Sequence, residues 1–166
     1  MKPLLFVDVD GVLSLFSSPH EPPPLRPDTH FHYEQGIGHL IALDNCRRLV
    51  ELQDLYELVW ATGWEEKANG DLYRLAGLPA PLPVVRFDRG KGKYDHQAHW
   101  KLGAIEEHAG SRPMAWIDDA HDDACREWAA ARPAPTLLVE VDPRNGLDEI
   151  ARDQLAGWPP TLQVSA

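Results

Sequence analysis

The stretch Leu4-Leu5-Phe6-Val7-Asp8-Val9-Asp10-Gly11-Val12-Leu13 constrains the chain more than any other. Four consecutive apolar residues with aromatic and β-branched members predict a short strand buried on both faces, as in a parallel sheet. The run stops at two acids and a glycine. Side chains alternate along an extended chain, so Asp8 and Asp10 leave the strand end on the same side, close enough to share one cation or one substrate. Two carboxylates held together repel unless a proton or a cation lies between them, which points to a divalent metal with oxygen ligands, Mg2+. Gly11 lets the backbone turn where a side chain would obstruct it. A strand followed by an acidic surface turn would carry the same residues, so the partners downstream decide between the two.

At 166 residues the chain suits a single domain, 1–166, large enough to bury a core without disulfides or metal staples. The formal net charge of -10 excludes bulk electrostatic adhesion to nucleic acid or to an anionic membrane. Any phosphate must be drawn in by a local device: a metal, a lysine or a helix N-terminus. Cys46 and Cys125 fall in helix-like segments, and neither has a metal-site spacing. That usage suits a reducing compartment and argues against structural zinc. The apolar run before Asp8 is too short for a signal peptide and no 18-residue apolar span occurs, so the expectation is a soluble cytoplasmic protein with no membrane partner.

Beyond the first strand, Ser14 to Gly38 is dense in proline, with Pro19, Pro22, Pro23, Pro24 and Pro27, and reads as an irregular flap, 14–38. His20, His30, His32 and nearby His39 suit either a transition metal or a polar surface loop. Helical spacing follows over Leu40–Leu55, then a second buried strand Leu58-Val59-Trp60-Ala61 that ends in Thr62-Gly63. A further helical pattern runs from Trp64 to Ala76, with Gly77 as a stop. Leu82 to Phe87 reads as a third strand, at an edge because of its prolines. The stretch from Arg89 to Lys101 is locally basic, with Arg89, Lys91, Lys93 and Lys101 interleaved with Tyr94 and Trp100; it suits a phosphate backbone or a solvated loop. After a helix from Lys101 to Gly110, Pro113-Met114-Ala115-Trp116-Ile117 is a fourth buried strand, ending in Asp118-Asp119. A helix at Cys125–Ala131, a fifth strand at Thr136–Val141, a helix around Leu147–Leu155 and a peripheral tail, 157–166, complete the chain.

Strands alternating with helices predict an α/β fold: a doubly wound three-layer sandwich around a mostly parallel five-stranded sheet, without a large cap domain. In such sheets the active crevice lies beyond the carboxyl ends of the strands. Asp8 with Asp10, Thr62, and Asp118 with Asp119 all end strands, so they are expected to meet in space.

Asp-x-Asp-Gly-Val after the first strand, Thr-Gly after the second, Lys101 opening a helix and Asp-Asp after the fourth strand together resemble the four motifs of the haloacid dehalogenase (HAD) superfamily. Leu5–Leu13, Val59–Trp64, Gly77-Leu78-Pro79 and Ala115–Asp119 are most similar to the HAD domain of Swiss Army Knife RNA repair proteins. The resemblance implies a HAD-like Rossmannoid fold and a Mg2+-dependent phosphatase. In it Asp8 is the nucleophile, and Asp10 is the acid that protonates the leaving oxygen and then the base that activates water. It further implies that Thr62 and the Gly63 N–H bind the phosphoryl group, and that Lys101 balances the charge of Asp8 and of the phosphate. Asp8, Asp10 (through its carbonyl), Asp118 and Asp119 would hold Mg2+, Asp119 through a water or a hydrogen bond to another ligand. Lys91 and Lys93 are alternatives for the lysine. Taken singly, Thr62 is equally a helix cap and Lys101 a surface lysine, while Trp64 could stack on a base or pack the helix.

The second acid, Asp10, favours phosphatase over dehalogenase chemistry. The short, Pro-rich flap leaves the site uncapped, which suits a large phosphorylated substrate such as a nucleic-acid end in an RNA repair context with partner proteins. A small-molecule phosphatase, acting on a nucleotide or a sugar phosphate, is the alternative within enzymes. A binding module with the same fold is the alternative outside them; the intact set Asp8, Asp10, Thr62, Lys101 and Asp118 speaks against it. A phosphoreceiver domain would need its acceptor after the third strand, where Asp88 is a weak candidate.

Overall fold

The computed structural model describes residues 2–17, 21, 25–34, 36–87 and 97–159. At its centre is a parallel sheet of four strands: β1 (Leu4–Val7), β5 (Glu57–Trp60), β6 (Met114–Asp118) and β7 (Thr136–Glu140), in the order β5-β1-β6-β7. Alternation along each strand splits its side chains between two cores. Leu5, Val7, Leu58, Trp60, Ala115 and Ile117 face α1 (Leu43–Leu52) and α5 (Glu149–Gly157) through Cys46, Leu49 and Leu155. On the opposite face, Leu4, Phe6, Val59 and Trp116 pack with Ile105 and Ala109 of α3 (Leu102–Ala109) and Cys125 of α4 (Asp123–Ala131). Helices on both faces make a three-layer α/β sandwich of Rossmann-like arrangement. Among the described residues, no helix is long and apolar enough to cross a membrane.

The expected third strand, Leu82–Phe87, does not form. Its trace runs beside β5 and makes a single parallel bridge, Trp60 to Val84, with Trp60 N–H donating to the Pro83 carbonyl at 2.9 Å and Val85 N–H to the Trp60 carbonyl at 2.8 Å. Pro81 and Pro83 have no N–H for a ladder, so the pairing ends after one step. The sheet therefore has four strands.

The flap is more ordered than its prolines suggest. Beyond them lies an antiparallel ribbon, β3 (Thr29–Glu34) with β4 (Ile37–Ala42), joined by the short β2 (Ser14–Leu15) in the order β2-β4-β3. Residues 40–42, expected in the helix, close β4 instead, and α1 begins at Leu43, with Asp28 Oδ2 accepting from Asp44 N–H at 3.1 Å. This small sheet is all that the described residues place between β1 and α1. The segment after Trp64 is broken at Gly70 into a 3-10 turn, Glu65–Asn69, and α2 (Asp71–Leu75). Gly77 ends it with φ of 77°. At the other terminus Gly157 closes α5 and Trp158 packs on the first core; 160–166 lie outside the described residues.

Candidate active site

Three strand ends converge as expected. Asp8 leaves β1 with its N–H still donating to the Ile117 carbonyl at 3.2 Å, which keeps it in the sheet plane beside β6. Its Oδ1 accepts from Val9 N–H at 2.7 Å. Asp118, the last residue of β6, accepts from Ala120 N–H through Oδ1 at 3.0 Å. Between the two carboxylates lies Lys101 Nζ, which donates to Asp8 Oδ2 and to Asp118 Oδ2, both at 2.7 Å. Lys101 ends a 3-10 turn, Ala98–Lys101, that is pinned to the exit of β6 by Ala98 N–H donating to the Ala120 carbonyl at 2.8 Å. Asp8, Lys101 and Asp118 are all buried.

The electrostatics follow from one ammonium between two buried carboxylates. Burial by itself would lower the Lys101 pKa, but the charges of Asp8 and Asp118 overcome it and hold the ammonium protonated. Burial raises Asp8 well above the carboxylate range, against the opposing pull of Lys101. Asp119 is raised to about 6, first by burial and then by Asp118. Four carboxyl groups, Asp8, Asp10, Asp118 and Asp119, thus share the wall with the Lys101 ammonium, and the raised acids are relieved by a proton or by a further cation.

A cation would be received by hard oxygen donors. Asp8, Asp118 and Asp119 each offer a carboxylate oxygen within 4.8 Å of the others, a donor set that could hold a metal ion. Gly11 makes this approach feasible: its φ is 75°, and a Cβ there would overlap the Asp119 side chain. Among the described residues no histidine joins a metal-ligating group.

The Asp10 carboxylate points elsewhere. Trp64 Nε1–H donates to its Oδ2 at 2.9 Å, and His39 Nδ1 lies 3.4 Å from its Oδ1 and 3.0 Å from Ser14 Oγ. The His39 ring meets Trp64 edge-on at 4.5 Å between centroids, and His32 stacks on the same indole at 6.1 Å. Thus the small sheet and the turn after β5 together clamp Asp10, about half of whose side chain stays exposed. Thr62 is fully buried; its Oγ1 accepts from Trp64 N–H at 3.3 Å and its carbonyl from Glu65 N–H at 3.0 Å. Glu65 follows with φ of 49°, a strained left-handed residue that completes the turn beneath Trp64.

These groups line a cavity of about 310 Å³. Asp8, Asp10, Gly63, Lys101, Asp118 and Asp119 are on its wall, with Phe16, Gln97 and Trp100 beside them; Thr62 is behind the wall. Lys91 and Lys93, the alternatives to Lys101, lie outside the described residues, as do Arg89, Tyr94, Asp88 and His20. Sequence reasoning placed Trp64 near the site without assigning it to Asp10, and it missed His39 as a partner of Asp10. Nothing in the linear order pairs His39 with Asp10; only the folding back of β4 does.

No family model, no curated protein and no solved structure matches this chain.

Proposed function

We propose that the chain is a Mg2+-dependent phosphomonoesterase that works through an aspartyl phosphate, as its resemblance to the HAD superfamily implies. The observation that carries this reading is the buried Lys101 ammonium, 2.7 Å from both Asp8 and Asp118, on the floor of an open cavity whose rim holds Asp10. A carboxylate beside a fixed cation, with a second carboxylate free of that cation, is the arrangement that nucleophilic displacement at phosphorus requires. Asp8, Asp118 and Asp119 would hold Mg2+, which neutralises charge on the phosphoryl oxygens.

In the first step the Asp8 carboxylate attacks phosphorus, the bond from phosphorus to the ester oxygen breaks, and Asp10, protonated, gives its proton to the departing oxygen. In the second, Asp10, now a carboxylate, takes a proton from water as the water oxygen attacks phosphorus. The bond from phosphorus to Asp8 breaks, releasing inorganic phosphate and restoring both acids. The sum is ester plus water giving alcohol plus phosphate. Lys101 offsets the charge that accumulates beside Asp8, the Gly63 backbone on the cavity wall meets the phosphoryl oxygens, and Thr62 fixes the turn that presents Gly63. His39 and Trp64 hold Asp10 at the rim, where a leaving group can reach it.

The substrate is a phosphomonoester, and a nucleic-acid end remains within this reading through the RNA repair resemblance and the basic stretch from Arg89 to Lys101. Both cysteines are buried and unpaired, which suits a reducing, cytoplasmic setting. Phosphate release from p-nitrophenyl phosphate and from end-phosphorylated oligonucleotides, in Mg2+ and in chelator, tests the reading. Asp8→Asn is expected to abolish release by on the order of a thousandfold or more while the protein stays folded. Release that survives in Asp8→Asn would remove Asp8 as nucleophile.

A further inference from the structure

Beside the catalytic cavity lies a second, larger depression of about 630 Å³. Its wall is built by Leu15, Phe16, Leu25, Phe31, Ile37 and Leu40 from the small sheet and its approaches. Phe16, Leu25, Phe31 and Ile37 are between 43% and 77% exposed, an unusual density of large apolar side chains on one surface. The two depressions adjoin, with Asp10 and Phe16 lining both.

We propose that this groove is the leaving-group subsite of the phosphomonoesterase and takes an uncharged, ring-bearing apolar alcohol. The inference rests on the function proposed above, and the role of Asp10 there fixes the direction. The acid must reach the ester oxygen that departs, so the body of the alcohol lies on the side of Asp10 away from Asp8 and Lys101. That side is the groove. Among the described residues its polar lining is Asp10, Ser14 and His39, which cluster at its end beside the cavity: Ser14 Oγ is 3.0 Å from His39 Nδ1, which is 3.4 Å from Asp10 Oδ1. Among the described residues no lysine or arginine lines it, so they offer a second phosphate no cation, and most of the lining offers a sugar no partners for its hydroxyls.

The aromatic preference follows from Phe31. A Cβ on Gly38 would lie 2.7 Å from Phe31 Cζ, so the ring rests over the bare backbone of β4, a placement that only glycine admits. A ring seated on the backbone in this way, with 64% of the residue still exposed, offers a face for offset stacking.

The test compares 2-phenylethyl phosphate with glycerol 3-phosphate, esters of two primary alcohols, and with a 5′-phosphorylated oligonucleotide, in wild type and Phe31→Ser. Asp8→Asn serves as the blank. The expected result is a kcat/KM ratio of phenylethyl to glycerol ester of at least about ten, which Phe31→Ser lowers about tenfold, mostly through KM. Ile37→Ser, on the neighbouring strand and also exposed, is expected to move the ratio in the same direction. Release from both esters at a ratio near one, or a ratio that neither substitution moves, overturns this inference and leaves the phosphatase standing. A preference for the oligonucleotide overturns it as well, in favour of a polynucleotide end. A dimer in sedimentation that Phe31→Ser dissociates, with a ratio near one, assigns the groove to a second copy instead. Release from none of the three substrates removes the phosphatase reading and this inference together.

Discussion

A buried ammonium flanked by two carboxylates is stable only as a set. Each of Asp8, Lys101 and Asp118 has lost most of its hydration, and the ammonium and the two carboxylates compensate that loss through contacts of 2.7 Å. Removing the cation alone leaves two buried acids facing each other across the space it filled. Lys101→Met, which keeps most of the side-chain volume, is therefore expected to destabilise the metal-free protein by about 3–5 kcal/mol at pH 8 in urea unfolding. The pH dependence has a definite sign. Burial raises the Asp8 pKa in the fold, so the variant gains by taking up a proton there, and the loss shrinks as pH falls toward 5. A Lys101→Met protein as stable as wild type at pH 8 in chelator would show that the ion pairs contribute nothing net.

At the scale of elements, the turn carrying Lys101 is held to α4 as well as to β6. Asp122 caps α4, accepting from Cys125 N–H through Oδ1 at 3.0 Å, while its Oδ2 lies 2.6 Å from His99 Nδ1 in the turn before Lys101. Burial acts to raise the Asp122 pKa, but the Cys125 N–H and the His99 ring outweigh it and hold the group at about 2. A carboxyl lowered in the fold contributes stability that is present above its unfolded value near 4 and is lost as pH falls toward 2. Asp122→Asn keeps a cap oxygen but loses the charge, so it is expected to be less stable than wild type at pH 7 and to show a flatter acid limb, the difference closing between about pH 4 and 2. Asp122→Ala loses the cap too and is expected to cost about 1 kcal/mol at pH 7. Acid unfolding followed by circular dichroism separates the two variants; identical acid limbs in wild type and Asp122→Asn would remove the carboxylate from the account.

The same scale explains what the sequence could and could not reveal. The strands at Leu4–Val7, Glu57–Trp60 and Met114–Asp118 were legible because burial on both faces demands an unbroken apolar run, and each run ends at a polar residue of the site. The ribbon was not, because one of its faces is wet, with Phe31 and Tyr33 exposed, and on the other the polar His32 and His39 face Trp64. Leu40, Ile41 and Ala42 fit a helical period as well as a strand, and only pairing with β2 and β3 decides. Leu82–Phe87 shows the opposite error, an apolar run that the loss of proline N–H groups keeps from pairing. The acids were visible as a motif, whereas the clamp on Asp10 depends on contacts across 29 and 54 positions of chain that no local pattern encodes.

For the molecule as a whole, the relevant quantity is the net charge of -10, part of which is concentrated at the carboxyl edge of the sheet in Asp8, Asp10, Asp118 and Asp119. Salt of any kind will relieve the diffuse repulsion. A divalent cation held by Asp8, Asp118 and Asp119 acts differently, because it binds the folded chain and not a dispersed one, where Asp8 lies 110 positions from Asp118. At about ten times its dissociation constant such an ion adds about 1.4 kcal/mol, which for a chain of this size raises the melting temperature by about 3–6 °C. The expectation is that millimolar Mg2+ raises Tm above the value in NaCl of the same ionic strength, and that chelator reverses the difference. In Asp118→Asn the two salts should act alike. Equal effects of Mg2+ and NaCl on the wild type would mean that the three carboxylates meet only as like charges relieved by screening, and the case for a resident metal would fall with them.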